Sequence, residues 1–153
     1  MEQKRTEVLK AKVRTFALNV IKLSRHLRMK KESILAAQFR RSGTSIGANL
    51  AEGRYTYTRG NYISKHAIAL AEASETLYWI ELFMNAGFIK PKGAFSAMHA
   101  QCSEIVAILE RIVRYARNVK VKENREAERG RNGRGRRIRM AQTGRKYSVC
   151  AKR

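Results

Sequence analysis

Apolar positions recur along this chain at helical spacing. Leu9, Val13, Phe16, Val20, Leu23 and Leu27 step by 4-3-4-3-4, and Phe95, Met98, Cys102, Ile105, Leu109, Ile112 and Ala116 step by 3-4-3-4-3-4. Each set falls along one side of a helix, and a mean period of about 3.5 residues suits helices that share a seam at a shallow angle. Two further helical segments lie between them. One covers residues 32–54, with Leu35, Phe39, Ser42, Ile46 and Leu50 in a stripe, and the other covers residues 60–85. Met29 to Glu32 interrupts the first seam, with Ser33 as the expected cap of the second helix. The run GRYTYTRG from Gly53 to Gly60 makes the next connection, and Gly87 stops the third helix before Pro91 and Gly93. Short connections force neighbours to run antiparallel, so the pattern predicts an all-α, up-down-up-down four-helix bundle over residues 1–119.

The third helix carries more apolar surface than one stripe. Ile63, Ala67, Ile68, Leu70, Leu77, Tyr78, Trp79, Ile80, Leu82, Phe83 and Met84 cover well over one face. Either the helix is deeply enclosed or its outer side packs against another subunit; the second suits a small bundle better, because nothing in it surrounds a helix. On the second helix a polar row, Gln38, Arg41, Ser45, Asn49 and Glu52, runs beside the apolar stripe among the small residues Gly43, Gly47, Ala48 and Ala51. Helical glycine costs about 1 kcal/mol relative to alanine, so the close approach of another backbone is expected to compensate. Glu72 and Glu75 on the third helix are the expected partners of Arg41 and Asn49 in a structural polar network or subunit interface.

Charge changes the picture. Lys and Arg number 33 against 12 acids, all of them Glu, for a net charge of +21 in 153 residues. Residues 120–153 hold 13 Lys/Arg, 3 Glu and four glycines with few large apolar side chains, which predicts a mostly disordered Arg/Gly-rich tail. No uninterrupted apolar run is longer than Ala67–Ala71, far short of the ~20 residues of a membrane span. The charged start MEQKRTEVLKAKVR does not resemble a secretory signal, and two cysteines, Cys102 and Cys150, make no disulfide framework. These features predict a cytoplasmic protein with no membrane partner.

The residues Ser45-Ile46, then Asn49-Leu50-Ala51-Glu52-Gly53, then the alanine-rich third helix with Glu75 carry a family resemblance. The stretch from Arg40 to Phe83 resembles the four-helix bundle proteins named after the intervening sequences of bacterial 23S rRNA genes, and the flanking seams extend the likeness to about residues 5–120. That family is similar in fold to the accessory variability proteins of diversity-generating retroelements, basic homopentameric barrels that bind nucleic acid and a reverse transcriptase. The resemblance therefore implies a homopentamer and a nucleic-acid role. The Arg/Gly tail departs from the family pattern.

Catalytic and metal signatures are missing. Di-iron bundles use Glu-x-x-His, but the residues three before His26, His66 and His99 are Leu23, Ile63 and Ser96. There is no zinc cluster and no Gly-x-x-x-x-Gly-Lys-Ser/Thr phosphate loop, so no cofactor or metal is expected and the chain reads as a non-enzyme. Nucleic-acid binding has more support: dense Lys/Arg releases counterions from phosphates, and five copies would multiply the charge fivefold. The expected phosphate-binding residues are Arg40, Arg54, Arg59 and Lys65 near the second connection, Arg111, Arg114 and Arg117 on the last helix, and Arg129, Arg131, Arg134, Arg136, Arg137 and Arg139 in the tail. Tyr55, Tyr57 and Tyr62 surround that connection, where stacking on unpaired bases competes with simple coverage of the bundle end; coverage is the expectation. The leading function is thus a homo-oligomer that binds RNA or DNA; the alternative is an adaptor that delivers RNA to a reverse transcriptase.

Overall fold

A computed structural model describes the backbone of residues 2–90 and 93–147, with side chains described for 7–90, 93, 95–125, 128 and 129. Four helices follow in order: α1 (Glu2–Met29), α2 (Ser33–Gly53), α3 (Arg59–Asn85) and α4 (Ala94–Tyr147). They divide between two units, residues 1–114 and 115–153.

The first unit is the bundle. Lys12 Nζ donates to both Glu104 carboxylate oxygens at 2.7 and 2.8 Å, and Asn19 faces Gln101, so α1 and α4 run antiparallel. Thr76 meets Ser42, and Lys65 meets Glu52, in the same sense between α3 and α2. Cys102 Sγ donates to the Ala73 carbonyl at 3.4 Å, which closes the ring of neighbours from α4 back to α3. Lys30 Nζ donates to the Phe88 carbonyl at 3.0 Å, so the α1–α2 and α3–α4 connections share one end of the bundle.

The first seam is buried at every position from Leu9 to Leu27. The last seam is buried at Met98, Cys102, Ile105 and Leu109, and then Val113 takes the place expected for Ile112. A real helix has 3.6 residues per turn, so a strict 3-4 ladder fits it only approximately; Ala116 is again buried where the ladder puts it. Phe39 and Phe83 form an edge-to-face pair at 5.4 Å, early in α2 and late in α3. On α3, Ile63, Ala69, Ala73, Ile80 and Phe83 are buried, whereas Ile68 and Tyr78 are exposed. Leu70, Leu77, Trp79 and Met84 are partly buried against the core, so the apolar surplus of α3 leaves only isolated side chains such as Ile68 and Tyr78 in the open among the described residues.

The helix ends follow local hydrogen bonding. α1 and α3 both stop in Schellman motifs, with bonds from Glu32 to Leu27 and Lys31 to Arg28, and from Phe88 to Phe83 and Gly87 to Met84. Gly87 fills the left-handed position at φ 74°, as expected, while α1 uses Lys31 at φ 68°. Ser33 is not a cap: the cap residue is Glu32 and its side chain makes no capping bond, because the Schellman turn already fixes the entry. The glycines of α2 also differ from expectation. What approaches Gly43 and Gly47 is the side chains of Val20 and Val13, not another backbone.

In the second unit α4 continues as helix to Tyr147, through the segment whose composition predicts disorder. Extending an existing helix requires no nucleation, and Arg, Lys, Glu, Gln and Ala lose little in it, so only the glycines oppose it. From Arg117 to Arg125 every described side chain is exposed or half-exposed, as are Glu128 and Arg129. The last part of the predicted tail, residues 148–153, with Cys150, lies outside the described residues.

Candidate nucleic-acid interface

The α2–α3 corner gathers the residues of the Asn49–Gly53 motif. Asn49 Nδ2 donates to the Ser45 carbonyl at 3.0 Å and to Ser45 Oγ at 3.1 Å, which ties the two side chains together within α2. Glu52 pairs across to Lys65. Gly53 is buried under the His66 ring; a Cβ there would stand 3.2 Å from His66 Cε1. His66 Nδ1 donates to the Tyr62 carbonyl at 2.9 Å, and its ring lies on that of Tyr62 with centroids 3.9 Å apart. Burial pushes the His66 imidazolium below its usual range, and the Tyr62 carbonyl only partly restores it. Thr58 begins α3 by accepting from the Asn61 amide at 3.1 Å. The motif thus shapes the corner by small size and by pairing.

The expected network from Arg41 and Asn49 to Glu72 and Glu75 does not form. Arg41 is exposed and reaches neither acid, while Glu75 Oε1 accepts from Trp79 Nε1 at 3.1 Å. The polar link between α2 and α3 is one position over, where Thr76 Oγ1 lies 3.0 Å from Ser42 Oγ and 2.7 Å from the Glu72 carbonyl. Short hydroxyls fit between packed helices, whereas a guanidinium is better served by water. Ser42 falls in the apolar stripe and Thr76 in none, so only the hydroxyl chemistry itself signals the pair.

The expected cations distribute unevenly. Arg54 is exposed at the corner, and its charge, after that of hydrogen-bonded Lys10, helps hold the Glu7 carboxyl below its usual range. Arg59 is exposed at the start of α3, and Lys65 is engaged by Glu52. Arg40 does not belong to this group: it sits fourteen residues before Arg54 on or at the end of one helix, about 21 Å away at 1.5 Å per residue. Arg111 and Arg114 are exposed in the first unit, and Arg117 and Arg129 in the second. Arg131, Arg134, Arg136, Arg137 and Arg139 lie on α4, with side chains outside the described set. Tyr55 and Tyr57 do not cover the bundle end: they are 78% and 102% exposed.

Other chemistry is sparse. An open pocket of about 330 Å³ is lined by Glu81, Met84, Asn85, Ser96 and His99, with His99 Nε2 at 3.2 Å from Glu81 Oε1. The Cys102 thiol is pushed up to about 12, by burial first and by the Glu81 charge second, so it is a core group and not a nucleophile. Among the described residues no three His, Cys or Glu come together as metal ligands, and no helix is long and apolar enough to cross a membrane.

Residues 5–111 match the family model of the 23S rRNA-intervening sequence proteins. The chain belongs to that family. A solved structure from the S23 ribosomal protein family of Bacteroides thetaiotaomicron, a protein of unknown function, aligns with a TM-score of 0.67 at 35% identity, covering 71% of this chain and 97% of that one. No curated protein matches the chain significantly. The 23S rRNA-intervening sequence match ends at Arg111, so the corner lies inside it while Arg114, Arg117 and the arginines of the second unit lie beyond it.

Proposed function

We propose that this member of the family is a non-enzymatic, homo-oligomeric protein that binds RNA or DNA through its cationic side chains. The observation that carries the reading is unbalanced charge: 33 cations face 12 carboxylates. Of the cations in the bundle, Lys10, Lys12 and Lys65 are engaged by Glu7, Glu104 and Glu52, whereas Arg54, Arg111 and Arg114 are exposed. Such an excess gains from displacing condensed counterions on a polyanion. Self-assembly is supported by the exposed Ile68 and Tyr78 on α3, which a second subunit would cover. The fold similarity to the accessory variability proteins of retroelements that the family resemblance implies would make the oligomer a pentamer, and the same α3 side chains would serve a reverse transcriptase in the adaptor reading.

Replacing Arg129, Arg131, Arg134, Arg136, Arg137 and Arg139 with Gln in the full chain tests the phosphate role. The slope of log affinity against log salt then falls by about 0.7 for each single-strand phosphate that is no longer neutralised. An unchanged slope removes the second unit from the interface. Native mass spectrometry before and after nuclease treatment reports the subunit number, and loss of every partner with the nuclease counts against the adaptor.

A further inference from the structure

We propose that the α2–α3 connection is a stacking site for unpaired bases of single-stranded nucleic acid, with Tyr55 and Tyr57 as the platforms and Arg54 on the backbone phosphates. It rests on the nucleic-acid reading above and names the form of ligand that this corner takes. Both rings stand almost wholly in water, at 78% and 102% exposure, whereas the third tyrosine of the corner, Tyr62, is only 38% exposed and stacks on His66. Their exposure is held by structure. The connection is only residues 54–58; the Tyr55 amide bonds to the Glu52 carbonyl at 3.0 Å, and Thr56 Oγ1 donates to the Gly53 carbonyl at 2.9 Å. Thr58 then caps α3, so both sides of Tyr57 are anchored.

The electrostatic surroundings fit a polyanion. Arg54 and Arg59 flank the two rings in sequence, and the nearby acids Glu7 and Glu52 are already taken by Lys10 and Lys65. The antiparallel pairing of α1 with α4 brings exposed Arg111 and Arg114 to the same end of the bundle. Exposed aromatic faces beside cations are what unpaired bases need, because every base offers a π-face and stacking ignores sequence. In a duplex those faces are stacked on one another, so it can use the cations but not the rings.

The test measures binding of labelled oligouridine and oligothymidine of about 12 nucleotides, within the span of a single-strand site, and of a blunt RNA duplex of equal length. Tyr55→Ala and Tyr57→Ala are each expected to weaken single-strand binding about 10-fold, with the salt slope unchanged and duplex affinity nearly constant. Tyr55→Phe and Tyr57→Phe keep the ring and should restore binding. Equal loss on single strand and duplex, or no loss on either single strand, overturns the stacking site. Loss of the oligomer in the alanine variants overturns it too, since the rings would then belong to a subunit contact. A wild-type protein that binds duplex but no single strand defeats this inference alone; one that binds none of the three at low salt defeats the nucleic-acid reading with it.

Discussion

The two faces of α2 solve the same packing problem in opposite ways. Toward α1, glycine lets a β-branched side chain settle onto the helix: Val20 methyls lie 2.7 Å from where a Gly43 Cβ would be, and Val13 lies 3.3 Å from that of Gly47. Toward α3 the contact is polar, with Ser42 against Thr76, Glu52 against Lys65, and Gly53 under His66. The first face is dry interlock, and its only product is stability. The second sets the pitch of the corner and leaves Arg54, Tyr55 and Tyr57 outside it. A small residue therefore has two meanings on one helix, and only its partner tells them apart.

Breaking the interlock has the largest expected effect. Gly43→Val puts three carbons into space that the Val20 methyls already fill, and overpacking of a tight core costs about 3 kcal/mol. The helix propensity of Val returns only a few tenths of that. Pairing it with Val20→Ala should recover most of the loss, a coupling read by denaturant titration of the single and double variants. A purely additive double variant would mean that the helices move apart instead of clashing.

Thr76→Val asks whether the polar face also holds the bundle. The valine keeps the shape but removes the hydroxyl facing Ser42 Oγ, while Ser42 still donates to the Phe39 carbonyl at 3.2 Å. The single Thr76 hydroxyl proton serves both Ser42 Oγ and the Glu72 carbonyl, so about one buried hydrogen bond is at stake and a loss of about 1 kcal/mol in chemical denaturation is expected. A stabilised variant would show that the Ser42–Thr76 pair serves register and not stability.

Much of this contrast is legible in the order of residues alone. The 3-4 seams name every buried apolar residue described in α1, though not the buried Ser24, and most of those of α4, because a long amphipathic helix has one way to face a core. The glycines of α2 announce a close approach, though not that valine makes it. The expected Arg41 network fails because charge and spacing identify a row without saying which residues water keeps. Grouping Arg40 with Arg54 by type runs against the rise of the helix that separates them. Tyr55 and Tyr57 depart from expectation for another reason. A loop's conformation depends on bonds such as Thr56 to Gly53, which leave no periodic trace.

His66 makes the polar face respond to pH. Its folded pKa is depressed, so the unfolded chain takes up the proton first as pH falls past about 6.5. Stability is therefore fully present above that value and declines below it, until the folded state also protonates. His66→Gln should flatten this part of the stability–pH curve, measured by urea midpoints between about pH 7 and pH 5. An identical slope in the variant would place the titration elsewhere.

The smallest effect on stability separates the faces most clearly. Glu52 and Lys65 keep side-chain exposures of 58% and 33%, and an ion pair so open to water contributes about 0.2–1 kcal/mol, less at high salt. Glu52→Gln is thus expected to leave thermal unfolding almost unchanged. It also releases Lys65 and removes one negative charge from the corner. Affinity for a single strand should rise, and the salt slope should steepen by up to about 0.7 if Lys65 takes a phosphate. Weaker binding would show that Glu52 orders the corner for its ligand. Stronger binding would show that the carboxylate restrains it. Substitutions at Gly43 and Gly47 should not raise affinity, because those positions meet the buried side chains of Val20 and Val13.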